Sequence, residues 1–427
     1  MIEEKLRRIS APGSKPGLDR ILELLAELDD PQLHLPAVHV TGTNGKGSTS
    51  LMIAEIMSAA GYKVGRFSSP HLHSYTERFI VDGEAINPET LLYYLDQIEM
   101  RLSSWQGNDY PTEFEILTAV AFLYFRDEQV DLAVLEVGMG GLYDSTNVII
   151  PLVSVITGVA LDHTEVLGNT LEEIAYNKAG IIKAGVPVVV GPVPEPAEGV
   201  IALQTEKLQA PLVKAESVRI TRSQAPTLQG QIIDLGSARF ILKNQLFTLL
   251  GDYQLDNLAC AVATVEALMN QGFAVSQEDL SRILPRLRFP GRMEVLRSRP
   301  LVIGDVAHNP QGAEVLSASL QQLLPDRERI LVCGMLDDKE RAASLQYLGR
   351  HSSSVVFTRP LLGERSGQWR ETSIIWRKLF PGKAGYEIEN ITAAVQKGLE
   401  LLTGDQYLLI TGSFYVLEEA REFFMNI

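Results

Sequence analysis

The sequence predicts an α/β protein of two domains. The N-terminal one is a parallel-sheet domain with a P-loop for a mononucleotide, and the smaller C-terminal one is a Rossmann-like α/β domain. Three observations predict this. Short runs rich in Val, Ile and Leu recur along the chain without polar alternation, as strands buried on both faces do. Segments of helical period lie between them, which makes the strands parallel and covers the sheet on both sides. A glycine-rich turn, Thr41–Ser48, leaves the first such strand and opens a helix.

The strands read from these runs are Ala37–Val40, Leu132–Val137, Val153–Thr157, Val186–Val190, Leu301–Ile303, Ile330–Cys333, Ser354–Phe357 and Tyr407–Thr411. The helices are Leu18–Leu28, Thr49–Ala60, Glu113–Arg126, Leu171–Ile182, Leu255–Asn270, Gly312–Leu324 and Ile391–Leu402. Thr112 with Glu115, and Thr170 with Glu173, have the spacing of capping boxes. Asn87-Pro88 places a cap before a proline at the first helical position. Residues 191–245 carry proline clusters and little periodicity, and read as loops and short antiparallel strands. PRLRFPGR (Pro285–Arg292) has two prolines and a glycine between a helix and a strand and reads as the domain break. The expected spans are 1–286, a linker at 287–294, and 295–427.

Composition narrows the function. With 427 residues, about 150 per domain allows two or three domains. Hydrophobic residues at 45% and charged residues at 21% exclude a largely disordered chain. No run approaches the ~18 apolar residues of a membrane span. MIEEKLRRIS lacks the apolar core of a signal peptide, and Cys260 and Cys333 are too few for a disulfide framework, so the cytoplasm is the expected compartment. The net charge of −15 argues against a nucleic-acid or membrane-surface binder. It leaves a nucleotide ligand open, because one Lys, loop amides and a divalent cation can hold a triphosphate.

Thr43, Asn44, Gly45, Lys46, Gly47 and Ser48 supply that combination. The glycines let backbone wrap an anion, and Lys46 faces the outer phosphates. The loop is shorter than G-x-x-x-x-G-K-[ST], and Gly47 separates the lysine from the hydroxyl.

TGTNGKGS resembles the ATP loop of the folylpolyglutamate synthases and dihydrofolate synthases, relatives of the Mur ligases. The resemblance runs on through SSPHLHSYTERF (Ser68–Phe79), EVGMGGLYDSTN (Glu136–Asn147), LDHTEVLGNTLEEIAYNKAGIIK (Leu161–Lys183), FPGRMEV, DVAHNP and TGSFYV, in that order. It implies an ATP-dependent ligase joining L-glutamate to a folate-type carboxylate through an acyl phosphate, acting on reduced folates and also on dihydropteroate. The alternatives are folylpolyglutamate synthesis alone, or a Mur-type ligase on another carboxylate. Only 41 residues precede Gly42, too few for the extra N-terminal domain of the peptidoglycan ligases. A nucleotide switch would leave Lys178, Asp305 and His308 idle.

Residue by residue, the resemblance implies magnesium, one ion or two with a monovalent cation beside it, on Ser69, Glu136 and His163. It implies ATP contacts from Asn257, Arg292 and Asp305, and catalytic roles for Lys178, Asp305 and His308. Lys178 is the family's carbamylated lysine. His308 is the candidate for orienting or deprotonating the attacking amine, since His titrates near neutral pH. The pterin side falls to Lys15, Pro16, Gly17 and Leu18, to Thr112, Glu113, Phe114 and Glu115, and to Tyr143, Asp144 and Ser145. A monomer is expected.

Read from the residues alone, other roles stand beside these. Ser69 precedes a proline and suits a turn, Glu136 suits an ion pair, and His163 suits a core histidine. Thr112 and Glu115 are already used as a cap. A histidine is also an unusual ligand for a hard cation such as magnesium. Two departures from the family, Leu142 after Gly-Gly and Lys15 in place of an acid, bear on substrate preference.

Overall fold

In the computed structural model, residues 1–13, 15–103, 105, 109–361 and 363–425 are described, so the last two residues of the expected 295–427 span lie outside. The chain forms two compact units. The first holds Met1–Thr221, Asp234–Gln245 and Leu255–Arg286, and the second holds Arg222–Ile233, Leu246–Gln254 and Leu287–Ile427.

The first unit is built on eight strands: β1 (Ala37–Thr41), β2 (Val64–Phe67), β3 (Phe79–Val81), β4 (Glu84–Ala85), β5 (Leu132–Glu136), β6 (Val153–Ile156), β7 (Val188–Val190) and β8 (Leu212–Lys214). Their order is β4-β3-β2-β5-β1-β6-β7-β8. The six strands β2-β5-β1-β6-β7-β8 run parallel, and β3 and β4 add an antiparallel edge. From β1 the chain crosses to β2 on one side, and from β5 it crosses to β6 on the other. In such sheets the crevice at the carboxyl ends beside the reversal is the ligand site. The phosphate loop, Glu136 and Thr157 all sit at those ends.

Both faces of the sheet are covered. On one, Phe67, Phe79, Phe122, Phe125 and Leu135 share a core with the helices Pro88–Leu102 and Glu113–Asp127. Beyond β1 the same face continues with Ile156, Ile174, Val188, Val190 and Ile201, and on the other face Val38, Val40, Val134, Val155 and Val189 are buried. Both expected capping boxes form, at Thr112/Glu115 and Thr170/Glu173.

The structure has short strands in 191–245, with Arg219–Arg222, Gln231–Gly236 and Ile241–Phe247 forming a three-stranded sheet, and corrects the rest of that reading. Glu195–Lys207 is a 13-residue helix. Its buried stripe is Ala197, Ile201 and Thr205, a small, a large and a polar residue, too weak an apolar pattern to read. Residues 222–233 and 246–254 group with the second unit rather than with the N-terminal span. The reason is polar pairing: Arg222 bonds Gln322 and Asp252, and Gln231 Nε2 donates to the carbonyls of Leu249 and Gly251.

The second unit has a six-stranded sheet in the order Glu294–Ser298, Leu301–Gly304, Tyr407–Thr411, Arg329–Cys333, Ser352–Phe357 and Ala384–Glu387. All neighbours are parallel except the first pair. Glu294, placed in the linker from sequence, opens the antiparallel edge strand. Leu320, Leu331, Phe357, Trp376 and Leu409 form this unit's core. Among the described residues no helix is long and apolar enough to cross a membrane.

Candidate active site

The phosphate loop begins where β1 ends. Its helix, Lys46–Ala59, starts three residues earlier than the periodicity suggested, because Gly45 takes the left-handed conformation (φ 87°) of a cap. Gly47 and Ser48 therefore lie in the first turn, where backbone N–H groups have no partner inside the helix and favour an anion. Lys46 Nζ donates to the carbonyls of Gly42 (2.9 Å) and Thr43 (3.3 Å). Thr43 Oγ1 and the Ala160 backbone are joined through 3.0 and 3.1 Å hydrogen bonds, and Thr157 Oγ1 donates to the Asn44 carbonyl at 2.6 Å. Asn257, inside the helix Tyr253–Met269, packs against the loop, and a Cβ on Gly45 would come within 2.3 Å of its Oδ1.

Two of the three expected metal ligands meet. Ser69 N donates to Glu136 Oε2 at 3.4 Å, and Glu136 is buried at the end of β5. The Arg66 guanidinium, buried beside them, is held charged by Glu136 and Glu55 against the desolvation that lowers its pKa. His163 is exposed and left-handed (φ 49°) at the start of Thr164–Leu167, with its Nε2 4.0 Å from Asp162 Oδ1. Serine and carboxylate oxygens suit magnesium, which keeps several waters and takes few protein ligands.

Lys178 lies buried in the helix Leu171–Ala179. Burial first, and the Lys46 ammonium second, lower its pKa to about 7, while Asp162 and Asp144 act the other way. Near neutral pH a large share of this amine is the unprotonated nucleophile.

A cavity of about 560 Å³ opens in the same unit. Lys15, Pro16, Thr112, Phe114, Glu115, Tyr143, Asp144 and Ser145 all line it, together with Ser69. Gly17, Leu18 and Glu113 are not in its wall. Leu18 packs against the core, and Glu113 accepts a hydrogen bond from Tyr75 Oη at 3.0 Å. The Phe114 ring is fixed by Phe67, stacked at 5.8 Å, and by Gly138, where a Cβ would fall 2.6 Å from Phe114 Cζ. Asp144 accepts from Met139 N (2.9 Å), Thr146 N (3.1 Å) and Thr146 Oγ1 (2.5 Å), yet its burial raises its pKa. Lys15 Nζ is paired with Asp109 at 2.8 Å.

Sequence reasoning missed several supporting residues. Arg20 pairs with the buried Glu115 at 3.0 Å, Asp162 faces Lys178, and Arg78 and Asn177 join the cavity wall. Their only signal was position inside motifs already singled out; Arg20 had none.

In the second unit Arg292, Asp305 and His308 come together. Asp305 is buried and accepts from Met293 N (2.9 Å) and Ala307 N (2.8 Å). Burial raises its pKa, opposed by the charge of Arg292. Arg292 lies over the rings of Phe289 and Phe414, each at 5.7 Å. His308 Nδ1 is 2.9 Å from the Val306 carbonyl, with its ring 6.0 Å from that of Phe414. The buried Tyr253 phenol, also unforeseen, is held neutral by burial and by the charge of Asp305.

Residues 40–265 match the Mur ligase middle domain, and residues 291–414 match the Mur ligase, glutamate ligase domain. The dihydrofolate synthase/folylpolyglutamate synthase of Bacillus subtilis is 34% identical over 419 residues, covering 96% of this chain and 95% of that one. The chain belongs to the folylpolyglutamate synthase and dihydrofolate synthase family of Mur ligases. The bifunctional Escherichia coli member is 32% identical over 95% of this chain and 90% of its own length. Among solved structures, a Mycobacterium tuberculosis folylpolyglutamate synthase complexed with ADP and AMPPCP superposes with a TM-score of 0.92 at 31% identity, covering 99% and 97% of the two chains. An E. coli structure in complex with DHPP and ADP gives 0.86 at 30% identity, covering 98% and 95%.

One prediction concerns the loop of this family member. Gly45→Ala forces a Cβ into the left-handed region and onto Asn257. We expect a lower melting temperature, by a strain of about 1–3 kcal/mol, and weaker binding of an ATP analogue. Wild-type affinity in calorimetry would show that the loop does not pack on Asn257.

Proposed function

We propose that this protein is an ATP-dependent carboxylate–amine ligase that adds L-glutamate to reduced folates and to dihydropteroate. The carboxylate oxygen of the acid attacks the γ-phosphorus of ATP, the bond to the bridging oxygen breaks, and ADP leaves. The glutamate amine then attacks the acyl carbon, phosphate departs, and the amine gives up its proton. Loop amides and Lys46 hold the phosphates and offset charge on the transferring group. The observation that carries the reading is the meeting, in one unit, of that loop with a cavity walled by a fixed aromatic ring, Phe114, and a buried carboxylate, Asp144. A flat heterocycle with a donor edge fits those two groups.

Ser69 and Glu136, with His163, are the residues we assign to magnesium. The ion, when bound, neutralises phosphate charge. Lys178 serves as the carbamylated lysine: its neutral amine adds CO₂ and releases a proton, leaving a carbamate anion. In the second unit Asp305 and Arg292 are assigned to the nucleotide, and His308 to orienting the amine of glutamate.

The test is phosphate release by purified protein, with dihydropteroate and a reduced folate compared side by side. Release should need ATP, the acid and glutamate together. Turnover of ATP that ignores either partner would end the ligase reading, and release with the reduced folate alone would remove the dihydropteroate activity. His163→Ala should raise the magnesium concentration for half-maximal rate roughly 10–100-fold. An unchanged titration would take His163 out of the metal site.

A further inference from the structure

β1 carries a histidine that belongs to neither the loop nor the cavity wall. His39 is wholly buried in the middle of the strand, flanked by Leu135 of β5 and Ser154 of β6. Its Nε2 lies 2.8 Å from Thr146 Oγ1. Its Nδ1 is buried without a hydrogen-bond partner among the described residues. Thr146 Oγ1 in turn donates to Asp144 Oδ1 at 2.5 Å. A hydroxyl has one proton, and here it goes to Asp144. His39 Nε2 must therefore be the donor to Thr146, which fixes the ring as the neutral Nε2–H tautomer. Burial, helped by the charge of Lys183, lowers the imidazole pKa to about 3, so this form persists at neutral pH.

Two residues on, Thr41 Oγ1 donates to the Gly140 carbonyl at 2.5 Å. β1 thus grips the loop running from Gly138 to Thr146 at two points, and the same strand ends in the phosphate loop. A buried imidazole with one nitrogen unpaired is costly, and an aliphatic side chain would fill this Val- and Leu-rich strand more cheaply. Its effect on Thr146 accounts for its presence.

We infer that His39 is a positioning residue. Through Thr146 it turns the Asp144 carboxylate into the cavity as an oriented acceptor for the donor edge of a pteroate-type ligand. The ligand class rests on the function proposed above; the relay itself does not.

The experiment has two arms. In ¹⁵N NMR of the ligand-free chain, His39 should show the Nε2–H tautomer at pH 7 and stay neutral at pH 5, and Thr146→Val should move its ring signals. In binding titrations with dihydropteroate, His39→Leu and Thr146→Val should each raise Kd about tenfold, the worth of one hydrogen bond to a charged group. The double variant should lose no more than either single one, His39→Gln should recover most of the affinity, and an ATP analogue should bind all of them as it binds wild type. An Nδ1–H tautomer or an imidazolium at pH 7 overturns the inference. So do additive losses in the double variant, or an equal loss of nucleotide affinity. A wild-type chain with the expected tautomer that binds no pteroate-type acid supports the relay and sinks the substrate reading instead.

Discussion

Lys46→Ala should lower ATP-dependent phosphate release by about a thousandfold or more, the scale of losing a preorganised charge at a transferring phosphoryl group. Lys46 is the first residue of the helix Lys46–Ala59, and its ammonium already sits over the loop, bonded to the Gly42 and Thr43 carbonyls. Removing it leaves the loop amides and the helix N-terminus to face a triphosphate on a chain of net charge −15. Those amides are partial charges, and the substituted loop would carry no full positive charge of its own. Nucleotide affinity should fall as well, though less than turnover, because charge grows on the phosphoryl group in the transition state. Steady-state phosphate release and titration with an ATP analogue separate the two effects. Turnover near wild type would refute the assignment of the loop.

Lys178→Arg should be the second severe loss, roughly 10²–10³-fold in turnover. Arginine keeps the charge, but its guanidinium is not deprotonated in proteins, so it has no neutral amine to add CO₂. The environment of Lys178 is built for the neutral form: burial and the Lys46 charge lower its pKa to about 7. A spectroscopic check is a ¹³C carbamate resonance from protein equilibrated with labelled bicarbonate, present in wild type and absent in the variant. Stability carries the same signature in CO₂-free buffer. Between about pH 7 and an ordinary lysine pKa near 10.5 the unfolded chain holds a proton that the folded chain has released, so stability rises with pH across that window. Lys178→Met should flatten the rise. Full activity of Lys178→Arg would end the carbamate assignment.

Much of the fold was legible in the sequence. β1, β5 and β6 are Val- and Leu-rich runs, with only His39 and Ser154 as polar residues inside them, because both faces of the sheet are covered, and burial on both faces is what such runs record. The phosphate loop was legible because glycine is the residue that tolerates the left-handed turn found at Gly45. β2 was not, because Val64–Phe67 reads VGRF. Its arginine serves the buried Glu136 and the half-buried Glu55, and its glycine makes room for Phe125, where a Cβ would fall 2.7 Å from the ring. The edge strand Glu294–Ser298 was missed for a related reason: it is half-buried to exposed and mixes polar with apolar residues, and its pairing with Leu301–Gly304 fixes it rather than its own composition.

The cavity shows the same division. Phe114, Asp144 and Lys15 could be named from motifs, but their partners could not. Arg20 reaches Glu115 across 95 residues, and His39 reaches Thr146 across 107. Contacts of that separation are made by the fold, and local periodicity carries no trace of them.

The hydrogen bonds from Lys46 to its own loop have one more consequence. They are made within the turn itself and fix its shape from inside, so an arriving polyphosphate meets a finished receptor. Its entry is an exchange of acceptors at a single ammonium rather than an ordering of slack chain. Calorimetry of nucleotide binding to this unit should then show little heat-capacity change, the thermal mark of a site that does not fold around its guest.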